Sequence, residues 1–218
     1  MTLLEALPVS APLLSGFAAV ALAIVVSPGP DTLLILRHTL TSGRGTGFAT
    51  VFGVQVGVAI HTLAAALGLT LLIAGSPVLF RFVALAGAAY LGWLGIQAWK
   101  SAALDFAQDA ADGVLPWQGF RDAILTNLLN PKVIVLFLAL MPGFVEPEKG
   151  HVGLQMVTLG LLLVVINTVW QVGLALAAGW ARGHLLKPLW QKAINRASGA
   201  VFMAFAILML VEHGLRHG

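Results

Sequence analysis

Two charged residues stand inside otherwise apolar runs of this chain, Asp31 and Lys132. A charge near the centre of a bilayer costs roughly 2.5–3.5 kcal/mol on insertion scales unless it is paired or hydrated. A carboxylate at depth can titrate a proton or hold an ammonium group. A lysine there can serve as its counter-ion or dock a substrate carboxylate. Snorkelling to the membrane edge is the bland alternative, and an Asp side chain is too short to do it well.

Both charges follow helix breakers. Pro28-Gly29-Pro30 precedes Asp31, and Asn130-Pro131 precedes Lys132. Each proline removes a backbone donor and clashes with the carbonyl one turn earlier. Pro28 and Pro30 with Gly29 between them predict two half-helices, with Pro30 in the first turn of the second. The single Pro131 fits either a kink or a break. Backbone groups freed at such depth must face protein, water or ligand, because lipid cannot satisfy them. A half-helix N-terminus favours an anion and a carbonyl end a cation. Gln55, His61, Asn127, Asn167 and Gln171 are the other polar residues within apolar runs. Taken singly, each is better read as an interhelical hydrogen-bonding group, worth about 0.6 kcal/mol.

Other chemistries lack their residues. The chain has no cysteine, which excludes disulfides, thiolate nucleophiles and Cys-based metal sites. No His/Glu metal spacing, Ser–His–Asp set or phosphate-cradling glycine loop occurs. We expect no catalytic residues, no metal and no cofactor.

The elements that position these residues follow from composition. Of 218 residues, 59% are hydrophobic and 10% charged, against about 25% charged in a soluble domain. Mean hydropathy is +0.93. The net charge of +3 reflects few acids rather than a basic patch, so nucleic acid is not an expected partner. Six runs approach the roughly 20 residues a membrane helix requires: 12–36, 49–74, 78–99, 122–144, 153–179 and 197–212. No strand alternation competes with them. No Lys or Arg precedes the first run, so it reads as a retained helix rather than a cleaved signal.

Lys and Arg in the loops set the orientation. One side holds eight, including Arg37, Arg44, Lys100 and Arg121; the other holds Arg81, Lys149 and Arg216. The richer side is expected in the cytoplasm, with both termini outside. The polar stretch 101–121 divides a single transmembrane domain into halves of about 1–100 and 122–218. Three spans per half force the halves into opposite orientations.

The halves carry patterned similarity. Val26-Ser27-Pro28-Gly29 aligns with Leu129-Asn130-Pro131-Lys132, Gln55-Val56-Gly57 with Gln171-Val172-Gly173, and Gly87-Ala88-Ala89-Tyr90 with Gly199-Ala200-Val201-Phe202. The expected fold is therefore all-α, six transmembrane helices in two inverted three-helix repeats, with the substrate site where the repeats meet. Gly53 and Gly57 allow close helix approach, within the subunit or in a homodimer.

These residues resemble the LysE/RhtB superfamily of bacterial amino-acid exporters, most closely its homoserine/threonine and neutral amino-acid branch. The resemblance rests on Ser27-Pro28-Gly29-Pro30-Asp31, the basic loop with Arg37, Gly43, Arg44 and Gly47, then Gly53 with Gly57. It continues through Gly87-Ala88-Ala89-Tyr90-Leu91-Gly92, Asn130-Pro131-Lys132, Phe137 and Pro142-Gly143-Phe144. The last span adds nothing to it. The resemblance implies export of an amino acid or related metabolite across the bacterial inner membrane, driven by the proton gradient. The candidate substrate-binding or coupling residues are Pro28, Gly29, Pro30, Asp31, Gln55, Asn127, Asn130, Pro131, Lys132, Asn167 and Gln171. An intramembrane enzyme and a channel-like protein are the alternatives.

Overall fold

The computed structural model describes residues 8–27, 29–75 and 113–178, with scattered positions between 78 and 100 and between 187 and 211. No strand occurs among the described residues. Helix α1 spans Ala11–Val26, α2 Pro30–Ser42 and α3 Arg44–Gly75. Helix α4 spans Pro116–Leu128, and the short α5 spans Pro131–Val135. A π-helical turn, Leu136–Leu140, and 3₁₀ turns at Met141–Phe144 and Pro147–Lys149 lead to α6, Val152–Leu176.

Local chemistry accounts for these boundaries. Prolines begin α2, α4 and α5, at the helical position where a missing N–H is harmless. Gln118 Oε1 accepts the Leu115 N–H at 2.9 Å and caps the start of α4. Gly43, at φ +88°, turns the chain out of α2, and α3 restarts at once. The expected second span therefore begins at Arg44 rather than 49, and the fourth at Pro116 rather than 122. The first expected span is two helices bent by 53° at the Pro-Gly-Pro break. The fourth is α4 and α5 with a break at Leu129 and Asn130, so Pro131 ends one helix and starts another.

Among the described residues two helices, over Arg44–Gly68 and Val152–Leu176, are long and apolar enough to cross a membrane, and the bent α1–α2 pair is a third where it is taken as one span. The described positions from 78 to 100 and from 189 to 210 are helical. Pro28, Gly87, Tyr90, Val201, Phe202, the acidic stretch 105–112 and both termini lie outside the described residues.

Helix α3 is central and packs on α2, α4 and α6. Glycines permit the approach. A Cβ on Gly53 would overlap the Phe120 carbonyl of α4, and one on Gly57 would lie 2.6 Å from Asn127 Oδ1. The Gly53–Gly57 stripe thus serves packing within the subunit. On α6, Gly160 does the same against Thr62 of α3. The core joins Phe17, Ala21 and Ile24 of α1 to Val54 and Val58 of α3 and Leu159 of α6. Leu161, Val165 and Val169 form an outward stripe on α6, each more than half exposed, as a lipid-facing surface would be.

The turn before α6 is fastened by fully buried Gln155, which accepts the Glu146 N–H at 2.8 Å and donates to the carbonyls of Glu146 and Gly150. Glu146 Oε2 accepts the Ser10 N–H at the start of α1 and pairs with Lys149. The Ser10 N–H, and then Lys149, hold the Glu146 carboxyl below the usual range.

Gly53→Ala should lower the thermal unfolding midpoint in lipid nanodiscs, by the equivalent of about 1–3 kcal/mol for an overpacked contact. Gly68→Ala, where no atom lies within 4 Å of the added Cβ, should hold or raise it. Equal midpoints for the two variants would refute the α3–α4 packing.

Candidate functional site

Proline bookkeeping explains the site. In a continuous helix the Ser27 carbonyl would accept from the Asp31 N–H. The break after Ser27 leaves that carbonyl without a helical partner, and Lys132 Nζ donates to it at 2.7 Å. The lysine thus places its cation at the carbonyl end of α1, where the helix dipole is negative. Asp31 sits in the first turn of α2, where the dipole is positive. One break holds both charges, each at the helix end of opposite sign.

The second break supplies the remaining partners. The Asn127 carbonyl would accept from residue 131, but Pro131 has no N–H. It accepts instead from the Asn130 N–H at 3.1 Å and faces His61 Nε2 at 3.4 Å. Asn130 Oδ1 caps α5 by accepting the Lys132 N–H at 3.1 Å. Its Nδ2 donates to Asp31 Oδ2 at 3.3 Å, and Asn127 Nδ2 donates to the same oxygen at 2.9 Å. Asp31 is 9% exposed, Asn130 3% and Asn127 fully buried. Such charge-assisted bonds make a buried carboxylate tolerable.

A second polar layer lies between α3 and α6. Gln55 Nε2 donates to Gln171 Oε1 at 2.9 Å, and Asn167 Nδ2 donates to Gln55 Oε1 at 3.4 Å. Between the layers is a cavity of about 40 Å³, room for roughly three waters. Its polar lining includes Asp31, Asn127, Asn130, Lys132, Asn167 and Gln171. Ile24, Val25, Val58, Leu136 and Leu163 are among its apolar walls.

Asp31, Asn127, Asn130, Lys132, Asn167 and Gln171, all expected from the sequence, thus line one cavity, while Pro28 lies outside the described residues. Gly29 also lines the cavity, and a Cβ there would lie 3.6 Å from Lys132 Nζ. Pro30 and Pro131 act as helix starts, while Gln55 stands behind Gln171 rather than on the cavity wall. Asp31 and Lys132 share the cavity but do not meet as the ion pair their charges suggest. The ion pairs among the described residues are Arg121–Asp122 and Lys149–Glu146. Lys132 goes to a carbonyl instead because a broken helix presents one within reach.

Two contributors escape a sequence reading, and a third, His61, does more than the interhelical hydrogen bonding expected of it. Ser27 takes part through its carbonyl, which only its place before Pro28 could signal. Thr32 lines the cavity one residue after Asp31. His61 stacks on Phe137, centroids 5.4 Å apart, and closes over the Asn127 carbonyl.

Two buried acceptors at the cavity, Asp31 Oδ1 and Asn127 Oδ1, have no hydrogen-bond partner. No group of His, Asp or Glu among the described residues is arranged to hold a metal ion.

Comparison with known proteins adds independent evidence. A family model described as LysE type translocator matches residues 22–213. The homoserine/homoserine lactone efflux protein of Salmonella typhimurium is 35% identical over 188 residues, covering 84% of this chain and 89% of its own. The leucine efflux protein of the same organism is 29% identical over 188 residues, covering 85% and 89%. An uncharacterized membrane protein of Vibrio cholerae is 31% identical over 189 residues, covering 87% and 92%. No solved structure matches the chain. With most of its length matched and its two motifs joined at one polar cavity, the chain belongs to the LysE type translocator family.

Proposed function

We propose that this protein is a secondary active exporter that moves an amino acid or related small metabolite out of the cytoplasm in exchange for protons. The observation that carries the reading is Asp31. It is a buried carboxylate at a helix break, with one oxygen held by two amides and the other unpartnered beside a cavity. An enzyme would need a reacting constellation, and the cavity offers none. A translocator needs a polar site at depth that can be reached from either side, and a titratable group suits coupling.

Alternating access between two inverted repeats is the mechanism we favour. Two contacts support it. Repeat-equivalent Gln55 and Gln171 hydrogen-bond to each other. Gly29 and Lys132, equivalent in the motif alignment, lie against each other. Equivalent residues can touch only near an axis that relates them, so these contacts support a pseudo-twofold axis between the repeats. Around it lies the cavity, which must widen to admit a solute larger than a few waters. Rocking one repeat against the other would open it to the cytoplasm and then outward. On this reading the protein sits in the bacterial inner membrane with both termini outside the cytoplasm, an orientation that the excess of Lys and Arg on one side supports.

The relatives suggest substrates to try, L-homoserine and L-leucine. In proteoliposomes with an acidic lumen, at least one should accumulate against its own gradient, and a protonophore should abolish the accumulation. Flux indifferent to the pH gradient would refute proton coupling. Asp31→Asn, expected to keep the helical content by circular dichroism, should lose the response to the gradient. Its retention in that variant would remove Asp31 from the coupling. Of the titratable groups facing Asp31, His61 and Lys132, neither should substitute for it.

A further inference from the structure

Pro142-Gly143-Phe144 and the turn after it do not line the cavity, yet they meet a helix that does. Helix α1 carries no acidic residue in its first turn and no basic residue in its last. Charges from the second half of the chain stand at both of its ends instead. At the start, Glu146 Oε2 accepts the Ser10 N–H at 2.8 Å. At the finish, Lys132 Nζ donates to the Ser27 carbonyl at 2.7 Å. Each charge has the sign that its end of the helix dipole favours. Between them Phe17 and Phe144 meet edge to face, centroids 5.4 Å apart. A Cβ on Gly16 would lie 3.5 Å from Phe144 Cε1.

Among the described elements, α1 packs most extensively on α6 and on the Met141–Phe144 turn, both in the second half. The chain between Val26 and Pro30 is not helical, so α1 can turn without carrying α2 with it. Ile24 and Val25, near its inner end, wall the cavity. Phe17 and Ala21, nearer Ser10, are fully buried. Helix α1 therefore covers the cavity on the side of Glu146. We propose that α1 is the outer gate of the translocator, latched to the second half by Glu146 and Phe144 along its outer part and by Lys132 at its inner end. On opening, Ser10 leaves Glu146, Phe17 leaves Phe144, and the Ser27 carbonyl leaves Lys132. Lys132 also lines the cavity. A solute, or Asp31, that draws its ammonium away loosens the same helix, so one side chain joins occupancy of the site to release of the gate. This inference rests on the export reading and its orientation, and it names the part that moves.

The chain has no cysteine, so a single introduced thiol can report the gate. Thr32→Cys puts one on a residue that lines the cavity. The full chain is labelled in membrane vesicles of each orientation with a membrane-impermeant quaternary-ammonium methanethiosulfonate. Glu146→Ala and Phe144→Ala should each speed labelling from the outer face about tenfold, the loss of a charge-assisted bond or an aromatic pair. Glu146→Gln should fall between Glu146→Ala and the parent. Labelling from the cytoplasmic face should not rise. Rates unchanged in both alanine variants, or raised equally from the two faces, would overturn the gate. A rise from the cytoplasmic face alone would overturn the orientation and the assignment of α1 to the outer face. A second measurement ties the gate shut. Gly16→Cys with Phe144→Cys, joined by a short bifunctional methanethiosulfonate, should lose gradient-driven accumulation of L-homoserine and L-leucine, and reduction should restore it. Undiminished transport by the linked protein would also overturn the gate. Labelling that changes as expected in a protein that moves neither solute would uphold the gate and count against the export reading.

Discussion

Backbone polar groups have no water to turn to inside a bilayer, and the prolines of this chain deliberately leave some of them without helical partners. That constraint organises everything around it. Breaking the first span frees the Ser27 carbonyl, and the Lys132 ammonium closes on it. Breaking the fourth frees the Asn127 carbonyl, which the Asn130 N–H takes up and His61 covers. Each break is repaired largely by residues of the other or of a neighbouring helix. Neither could sit comfortably in lipid alone, so the two are held face to face.

The repair leaves a particular electrostatic pattern. The cation lies at the carbonyl end of α1 and the anion at the N-terminus of α2, so the helix dipoles compensate charges that would otherwise be expensive at depth. This is why Asp31 and Lys132 need no direct ion pair. It also leaves Asp31 with one occupied and one free oxygen, which a directly paired carboxylate in the same place would lack. Around this centre the packing is close. Gly53 and Gly57 bring α3 onto α4 and Gly160 brings α6 onto α3, while the apolar walls of the cavity come from α1, α3, α5, the π turn and α6.

Much of this was legible from residue types alone. Charges after prolines, inside apolar runs, announced the breaks, and the Gly53–Gly57 spacing announced a close interface. The alignment of Gln55 with Gln171 anticipated two residues that turn out to be hydrogen-bonded. What stayed hidden depends on the third dimension. That Lys132 would choose a carbonyl over a carboxylate follows from the reach of one side chain to one broken helix end, and no pattern encodes it. The starts of α3 at Arg44 and α4 at Pro116 precede the apolar runs by several residues, because the Gly43 turn and the Gln118 cap set them and not hydropathy. Whether one proline kinks or breaks a helix depended on Asn130, which caps the new start with its own side chain.

The claim on which the account rests is that the two breaks complete one another. A cryo-electron-microscopy structure of the chain in a lipid nanodisc tests it most directly, through the position of the Lys132 ammonium. The account predicts that Nζ lies within hydrogen-bonding distance of the Ser27 carbonyl, with Asn127 and Asn130 both on the Asp31 carboxylate. A structure in which Lys132 extends to the headgroups, with the two breaks facing acyl chains, would contradict it.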